Sequence, residues 1–233
     1  MKKSPFLVFF ECLAICLGTF ALAACSDNGT NAAEFNAASV CPESGRGSFV
    51  DDRDGQVYKY TTIGNQVWMA ENLRYKIDGE LVADQSNDLR SECFFSDDSC
   101  LVMGLLYNWN AAKYVCPKGW HLPSEKEWSV LIDLMGGDAE ASRRLRSTSG
   151  WKELNHNEDL NGTDDCGFDL LPSQATYKPN LGYEADAWSS TNASSEENGS
   201  ILFFNILSYQ TDIQLLLPYG YIDDLKSIRC LKD

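Results

Sequence analysis

The chain opens with a short basic start and a greasy run. Lys2 and Lys3 precede Phe6 to Ala24, which is apolar except for Glu11. The uninterrupted part, Cys12 to Ala24, has 13 residues. A helix needs about 20 apolar residues to cross a hydrocarbon core, so residues 1–24 read as a cleaved export signal rather than a span. Residues 26 to 47 are small and polar without apolar period, which is the composition of a tether. A flexible coil of that length spans roughly 25 Å on average.

Regular patterning starts after residue 47. Val57 to Met69 alternates β-branched and aromatic residues around Gly64-Asn65, a two-residue turn signal, and predicts a hairpin. Residues 78–102 are polar and acidic, an excursion stapled by Cys93 and Cys100. Asn110 to Val115 predicts a short helix. A second helix is better specified: Ser124 is a cap, Glu127 completes a capping box, and Trp128, Leu131, Ile132 and Met135 recur at helical spacing. Gly136-Gly137 stops it, and Asp138 to Leu145 predicts a third helix. Trp151 to Asp186 is loop-like. Trp188–Thr191, Ile201–Leu207, Ile213–Leu217 and Ser227–Leu231 predict strands, and the apolar run ILFFNIL reads as a central strand buried on both sides. Helices, a long loop region and a final antiparallel sheet make the expected class α+β.

Composition then sets the address. Leu22-Ala23-Ala24-Cys25 directly after the greasy run resembles a bacterial lipobox, in which the cysteine takes a diacylglycerol and becomes the mature N-terminus. Two or three acyl chains, at about 0.8 kcal/mol per buried CH2, suffice to hold a protein on a bilayer. Cys25 is therefore the expected lipidation site. Ser26 is not the acidic retention signal of inner-membrane lipoproteins, so the outer membrane is favoured, with the cell surface as one of its two faces. Removing Lys2, Lys3 and Glu11 with the signal leaves 17 basic and 33 acidic residues, a net charge of −16. Such a surface argues against nucleic acid as a partner. Six cysteines remain in the exported part: Cys41, Cys93, Cys100, Cys116, Cys166 and Cys230. An even count in an exported chain predicts three disulfides. Without a C-x-x-C pair, and with two histidines in the whole chain, zinc is not expected.

Several motifs follow one another in order: Asp51-Asp-Arg-Asp-Gly55, the stretch from Ile63 to Leu73, WNAAKYVCPKGWHLPSEKEW over 109–128, Gly167 to Pro172, Trp188-Ser-Ser-Thr191, and Ile228 to Asp233. Together they resemble the Fibrobacter succinogenes major paralogous domain over residues 48–233. That family is similar to C-type lectin-like domains and, more distantly, to formylglycine-generating enzymes. The lectin-like pattern maps onto Ala111, Ala112, Cys116, Gly119, Leu122, Ser124 and Glu127, and implies a Cys116–Cys230 bridge. Proximity adds Cys93–Cys100, and elimination leaves Cys41–Cys166. The calcium and sugar motifs of C-type lectins, Glu-Pro-Asn or Gln-Pro-Asp and Trp-Asn-Asp, do not occur, and the cysteines do not match the reactive pair of the formylglycine enzymes.

Catalytic constellations are correspondingly thin. His121 reads as a buried, hydrogen-bonded histidine, His156 has no nucleophile motif beside it, and Glu125 and Glu127 suit a helix N-terminus. Asn157 to Asp165 imitates an EF-hand start but places Phe168 where a bidentate Glu is needed. No metal or cofactor is expected. The loop aromatics are better candidates, because tyrosine gives contact area at low entropic cost. Tyr177, Tyr183, Tyr219 and Tyr221 are the expected ligand contacts. The sequence thus predicts a lipid-anchored envelope protein with a non-enzymatic binding or adhesion module for polysaccharide or a partner protein. The alternative is a structural envelope component without small ligand, and an enzyme is the least expected.

Overall fold

The computed structural model describes residues 35–77, 89–93, 97–152, 159–173, 182–192, 201–207, 214–215 and 224–233. They belong to one unit, Phe35–Asp233. Its elements are α1 (Ala37–Val40), β1 (Gly47–Val50), β2 (Val57–Ile63), β3 (Gln66–Met69), β4 (Ser91–Glu92), α2 (Asp97–Met103), β5 (Leu106–Tyr107), α3 (Trp109–Ala112), β6 (Trp120–His121), α4 (Glu125–Leu134), α5 (Asp138–Leu145), β7 (Glu184–Asn192), β8 (Ile201–Leu207), β9 (Gln214–Leu215) and β10 (Leu231–Lys232). Short helices with small antiparallel sheets and disulfides make the fold α+β. Among the described residues no helix is long and apolar enough to cross a membrane.

Local signals act where expected. Gly64, at φ 58°, turns β2 into β3, and Thr61 faces Trp68 across the ladder. The positive φ favours glycine here. The Ser124 hydroxyl accepts from the Glu127 N–H and the Glu127 carboxylate accepts from the Ser124 N–H, a complete capping box that contributes on the order of 1 kcal/mol. Gly136 and Gly137 end α4 with positive φ. Asn108 caps α3, which starts at Trp109 and stops at Ala112, shorter than Asn110–Val115.

Two expectations are corrected. Residues 35–47, part of the expected tether, are folded. Asn36 caps α1, the Gly64 N–H donates to Val40 O at 2.7 Å, the Thr62 hydroxyl donates to Gly45 O at 2.8 Å, and Phe35, Ala37 and Val40 pack on the core. The C-terminal strands do not form one sheet. The larger sheet runs β1-β2-β3-β10-β6, a second pairs β4 with β5, and a third runs β7-β8-β9. Over 227–231 the expected strand reduces to β10, because its backbone divides its bonds. Leu73 N–H donates to Ile228 O and Met69 N–H to Cys230 O, while Ser227 O accepts from Trp188 N–H in the other direction.

The core is aromatic. Trp128 on α4 stacks on Phe204 of β8 at 4.4 Å between ring centres and lies 4.6 Å from Trp68 of β3, with Phe168 edge-on to both tryptophans. Such pairs contribute about 0.5–1.5 kcal/mol beyond area burial. The amphipathic stripe of α4 thus joins the two larger sheets. As the apolar run implied, Ile201 to Ile206 of β8 is buried throughout, and β8 is central in its sheet. Three disulfides close the domain: Cys41–Cys166, Cys93–Cys100 and Cys116–Cys230.

Candidate functional site

The loop expected to carry recognition is described over 159–173, where it has almost no regular structure yet is held from several sides. Cys166 is bridged to Cys41, and its carbonyl accepts from the buried Thr61 hydroxyl. Arg146 donates to Leu160 O at 3.2 Å while its guanidinium lies 4.7 Å over Trp151. A Cβ on Gly162 would stand 2.1 Å from Arg146 O, so only glycine fits that approach. Trp151 is not a surface aromatic: its indole N–H donates within the core to Ser147 Oγ and Leu170 O.

Arg229, in the segment before β10, clamps the far end of this loop. It is 1% exposed and donates from Nε to Asn72 Oδ1, from one terminal nitrogen to Met69 O and Phe168 O, and from the other to Asp169 O. Burial pulls its pKa down to about 10, with Asp169 and Asp164 opposing.

The acidic residues of the loop are occupied by the loop itself or by α5. Asp159 accepts from the Asn161 backbone and side-chain N–H groups, and Asp164, at φ 45°, accepts from Asp169 N–H at 2.8 Å. Burial raises the Asp164 pKa to about 6, against the hydrogen bond from Asp169. Asp165 lies 3.4 Å from Arg144 Nε. Among the described residues no group of three His, Cys, Asp or Glu is placed to hold a metal ion. The first part of the Asn157–Asp165 motif lies outside the described residues.

Of the four candidate tyrosines, Tyr183 is described. It precedes β7, is half-buried, and has Lys152 Nζ 5.9 Å from its ring centre. Tyr177, Tyr219 and Tyr221 lie outside the described residues, as do Cys25 and His156.

A polar cluster that sequence reasoning missed lies on the same sheet. Asp186 of β7 faces Asn205 of β8 directly across the ladder. The Asn205 amide donates to Asp186 Oδ1 and to Glu184 Oε1, the latter at 2.9 Å. Asp186 Oδ2 accepts from Lys226 Nζ at 3.0 Å. Lys226 Nζ lies 3.7 Å from the ring centre of Phe203 and 5.4 Å from that of Trp188. Asp186, Asn205 and Lys226 are 2%, 2% and 4% exposed, and Asn205 Oδ1 is buried with no hydrogen-bond partner. The available signal was the lone Asn inside the apolar run of β8.

His121 departs from its expected burial. Its side chain is 39% exposed and clasped by two carboxylates, Asp233 at 2.7 Å from Nδ1 and Glu127 at 3.1 Å from Nε2. Partial burial works against its charge, but the hydrogen bonds to Asp233 and Glu127 outweigh it and raise its pKa. Both ring nitrogens are engaged, and the Ser124 hydroxyl donates to Glu127 Oε2 at 2.7 Å. The arrangement ties β6, the start of α4 and the residue after β10 together.

These features define an α+β, disulfide-stapled domain whose loop is fixed by buried arginines. The model of the Fibrobacter succinogenes major domain matches residues 61–232, most of the chain. The chain belongs to that family, as its motifs implied. No curated protein and no solved structure matches it.

Proposed function

We propose that this domain is the binding or adhesion module of an exported envelope protein, anchored by lipid on Cys25, with a C-type lectin-like fold and no catalytic role. Its ligand class is polysaccharide or a partner envelope protein. The carrying observation is the rigid irregular loop. Residues 159–173 have little secondary structure, yet a disulfide, Arg146 and Arg229 fix them. A loop ordered before binding loses less entropy when it binds, and recognition residues concentrate on loops set by a rigid scaffold. Tyr183 stands beside Lys152, whose N–H donates to Gly182 O, while the N–H of the neighbouring Trp151 donates to Asn161 Oδ1 in the loop. Three disulfides suit an oxidising compartment, and Leu22 to Cys25 supports the anchor.

The soluble domain, residues 35–233, is the reagent for a glycan array and a cell-wall pull-down. Binding is expected to survive EDTA and to fall at least tenfold when Tyr183 and Tyr221 are both changed to alanine, with the circular dichroism spectrum unchanged. Absence of retained ligand across polysaccharides and envelope proteins favours a structural envelope role instead. The anchor is read separately: Cys25→Ser is expected to move the full chain from membranes to the soluble fraction and to end labelling by a palmitate analogue.

A further inference from the structure

The buried cluster on β7 and β8 has the parts of a self-processing site. A lysine amine and a side-chain amide contact the two oxygens of one carboxylate: Lys226 Nζ on Asp186 Oδ2 at 3.0 Å, and Asn205 Nδ2 on Asp186 Oδ1. Backbone bonds hold all three in place. Asp186 and Asn205 are register partners, Asn205 also faces Gln214 of β9, and Lys226 makes both backbone hydrogen bonds of its bridge to Tyr107. Phe203 and Trp188 wall the amine, and all three polar residues are nearly inaccessible.

We infer that Lys226 Nζ and Asn205 Cγ become joined by an intramolecular isopeptide bond, with Asp186 carrying the protons. As a mere ion pair the site is poorly built. Burying two charges costs several kcal/mol per ion unless every remaining donor and acceptor is satisfied, and Asn205 Oδ1 has no partner. Moving one proton from Nζ to Asp186 along their hydrogen bond leaves a neutral amine and a neutral acid, which removes that cost. The neutral amine is the nucleophile. Its lone pair attacks Asn205 Cγ, a new C–N bond forms, and the carbonyl electrons move onto Oδ1.

Asp186 then gives its proton to Nδ2, the atom already on its Oδ1. The electrons on Oδ1 reform the carbonyl as the Cγ–Nδ2 bond breaks and ammonia leaves; Nζ then gives a proton back to the carboxylate, which passes it to the ammonia as ammonium. The net change is Lys–NH3+ plus Asn–CONH2 to a Lys–NH–CO–Asn amide plus ammonium. No oxidant or co-reactant enters. Asp186 holds the amine on one oxygen and the amide on the other, so a shared carboxylate replaces a bimolecular encounter and acts first as base and then as acid. Asp186 is thus the catalytic residue of a single turnover, with Glu184 positioning the amide through its hydrogen bond to Nδ2.

Mass spectrometry of the purified domain, residues 35–233, decides the matter. The expected intact mass is lower than the sequence mass by one ammonia as well as by the hydrogens of three disulfides. After reduction and digestion, trypsin is expected not to cut after Lys226, and one branched peptide is expected to join the segments holding Asn205 and Lys226. Lys226→Met and Asp186→Asn are expected to restore the missing ammonia. Separate peptides with free Lys226 in the wild-type protein would overturn the inference. So would ammonia loss at Asn205 without a branch, or a branch from Lys226 to Asp186 with loss of water. The wild-type measurement stands even where a variant fails to fold, and none of these outcomes depends on the ligand proposed above.

Discussion

Residues 35–47 provide the sharpest test of the domain boundary. Three soluble proteins are compared by denaturant unfolding at 25 °C: 35–233, the same protein with Cys41→Ala and Cys166→Ala, and 48–233 with Cys166→Ala. The bridge spans 125 residues, and the loop-entropy relation gives about 5 kcal/mol for a loop of that length, the upper end of what native disulfides contribute. The second protein is therefore expected to lose about 3–5 kcal/mol.

The third also loses the hydrogen bonds of Val40 O, Gly45 O and Arg46, the last to Asp165 O at 3.2 Å, and the packing of Phe35, Ala37 and Val40. At about 1 kcal/mol per hydrogen bond and roughly 2 kcal/mol for partial burial of the apolar groups, it is expected to lose on the order of a further 5 kcal/mol. The two losses together are comparable with the whole stability of an ordinary domain, about 5–15 kcal/mol. If the second and third proteins unfold within about 1 kcal/mol of each other, the segment is tether after all.

Two further expectations concern single residues. The raised pKa of His121 means that its clasp stabilises the fold fully below the unfolded value of about 6.5 and loses that contribution as pH rises through the folded value; Glu127, lowered despite partial burial by its bonds to Ser124 and His121, contributes above its own unfolded value and fades in acid. The melting-temperature difference between wild type and His121→Ala is therefore expected to be largest near pH 5–6 and to shrink towards pH 9, and a difference independent of pH refutes the clasp. Arg229→Lys is expected to destabilise by about 3 kcal/mol or more, because one ammonium cannot reach Asn72, Met69, Phe168 and Asp169 together; thermal unfolding within about 1 kcal/mol of wild type would show that the four contacts are dispensable.

What the sequence made legible was local. The capping box of α4, the turn at Gly64 and the apolar run of β8 are each written within a dozen residues, and the structure has them. The Cys116–Cys230 bridge was reached through resemblance, since nothing between residues 116 and 230 links those two positions by pattern. The misses share a cause. α1 has four residues, too few for an amphipathic period, so Phe35, Ala37 and Val40 were hidden in tether-like composition. β10 pairs only Leu231 and Lys232, too short for alternation to show. The Asp186–Asn205–Lys226 cluster depends on cross-strand register and on a contact spanning 40 residues, and neither is visible along the chain. His121 was read from its apolar neighbours, whereas its surroundings are set by Asp233, 112 residues away.

The place of β10 has a consequence for the order in which this protein can be made. It lies between β3 and β6, so an inner position of the larger sheet is filled by residues 231–232. Until those residues are available, Trp68 and His121 have no common neighbour, and Cys230 cannot meet Cys116. Contacts of such long separation slow folding, since the loop entropy is lost before they form. A nascent chain held short of residue 230 therefore lacks its keystone and stays loose.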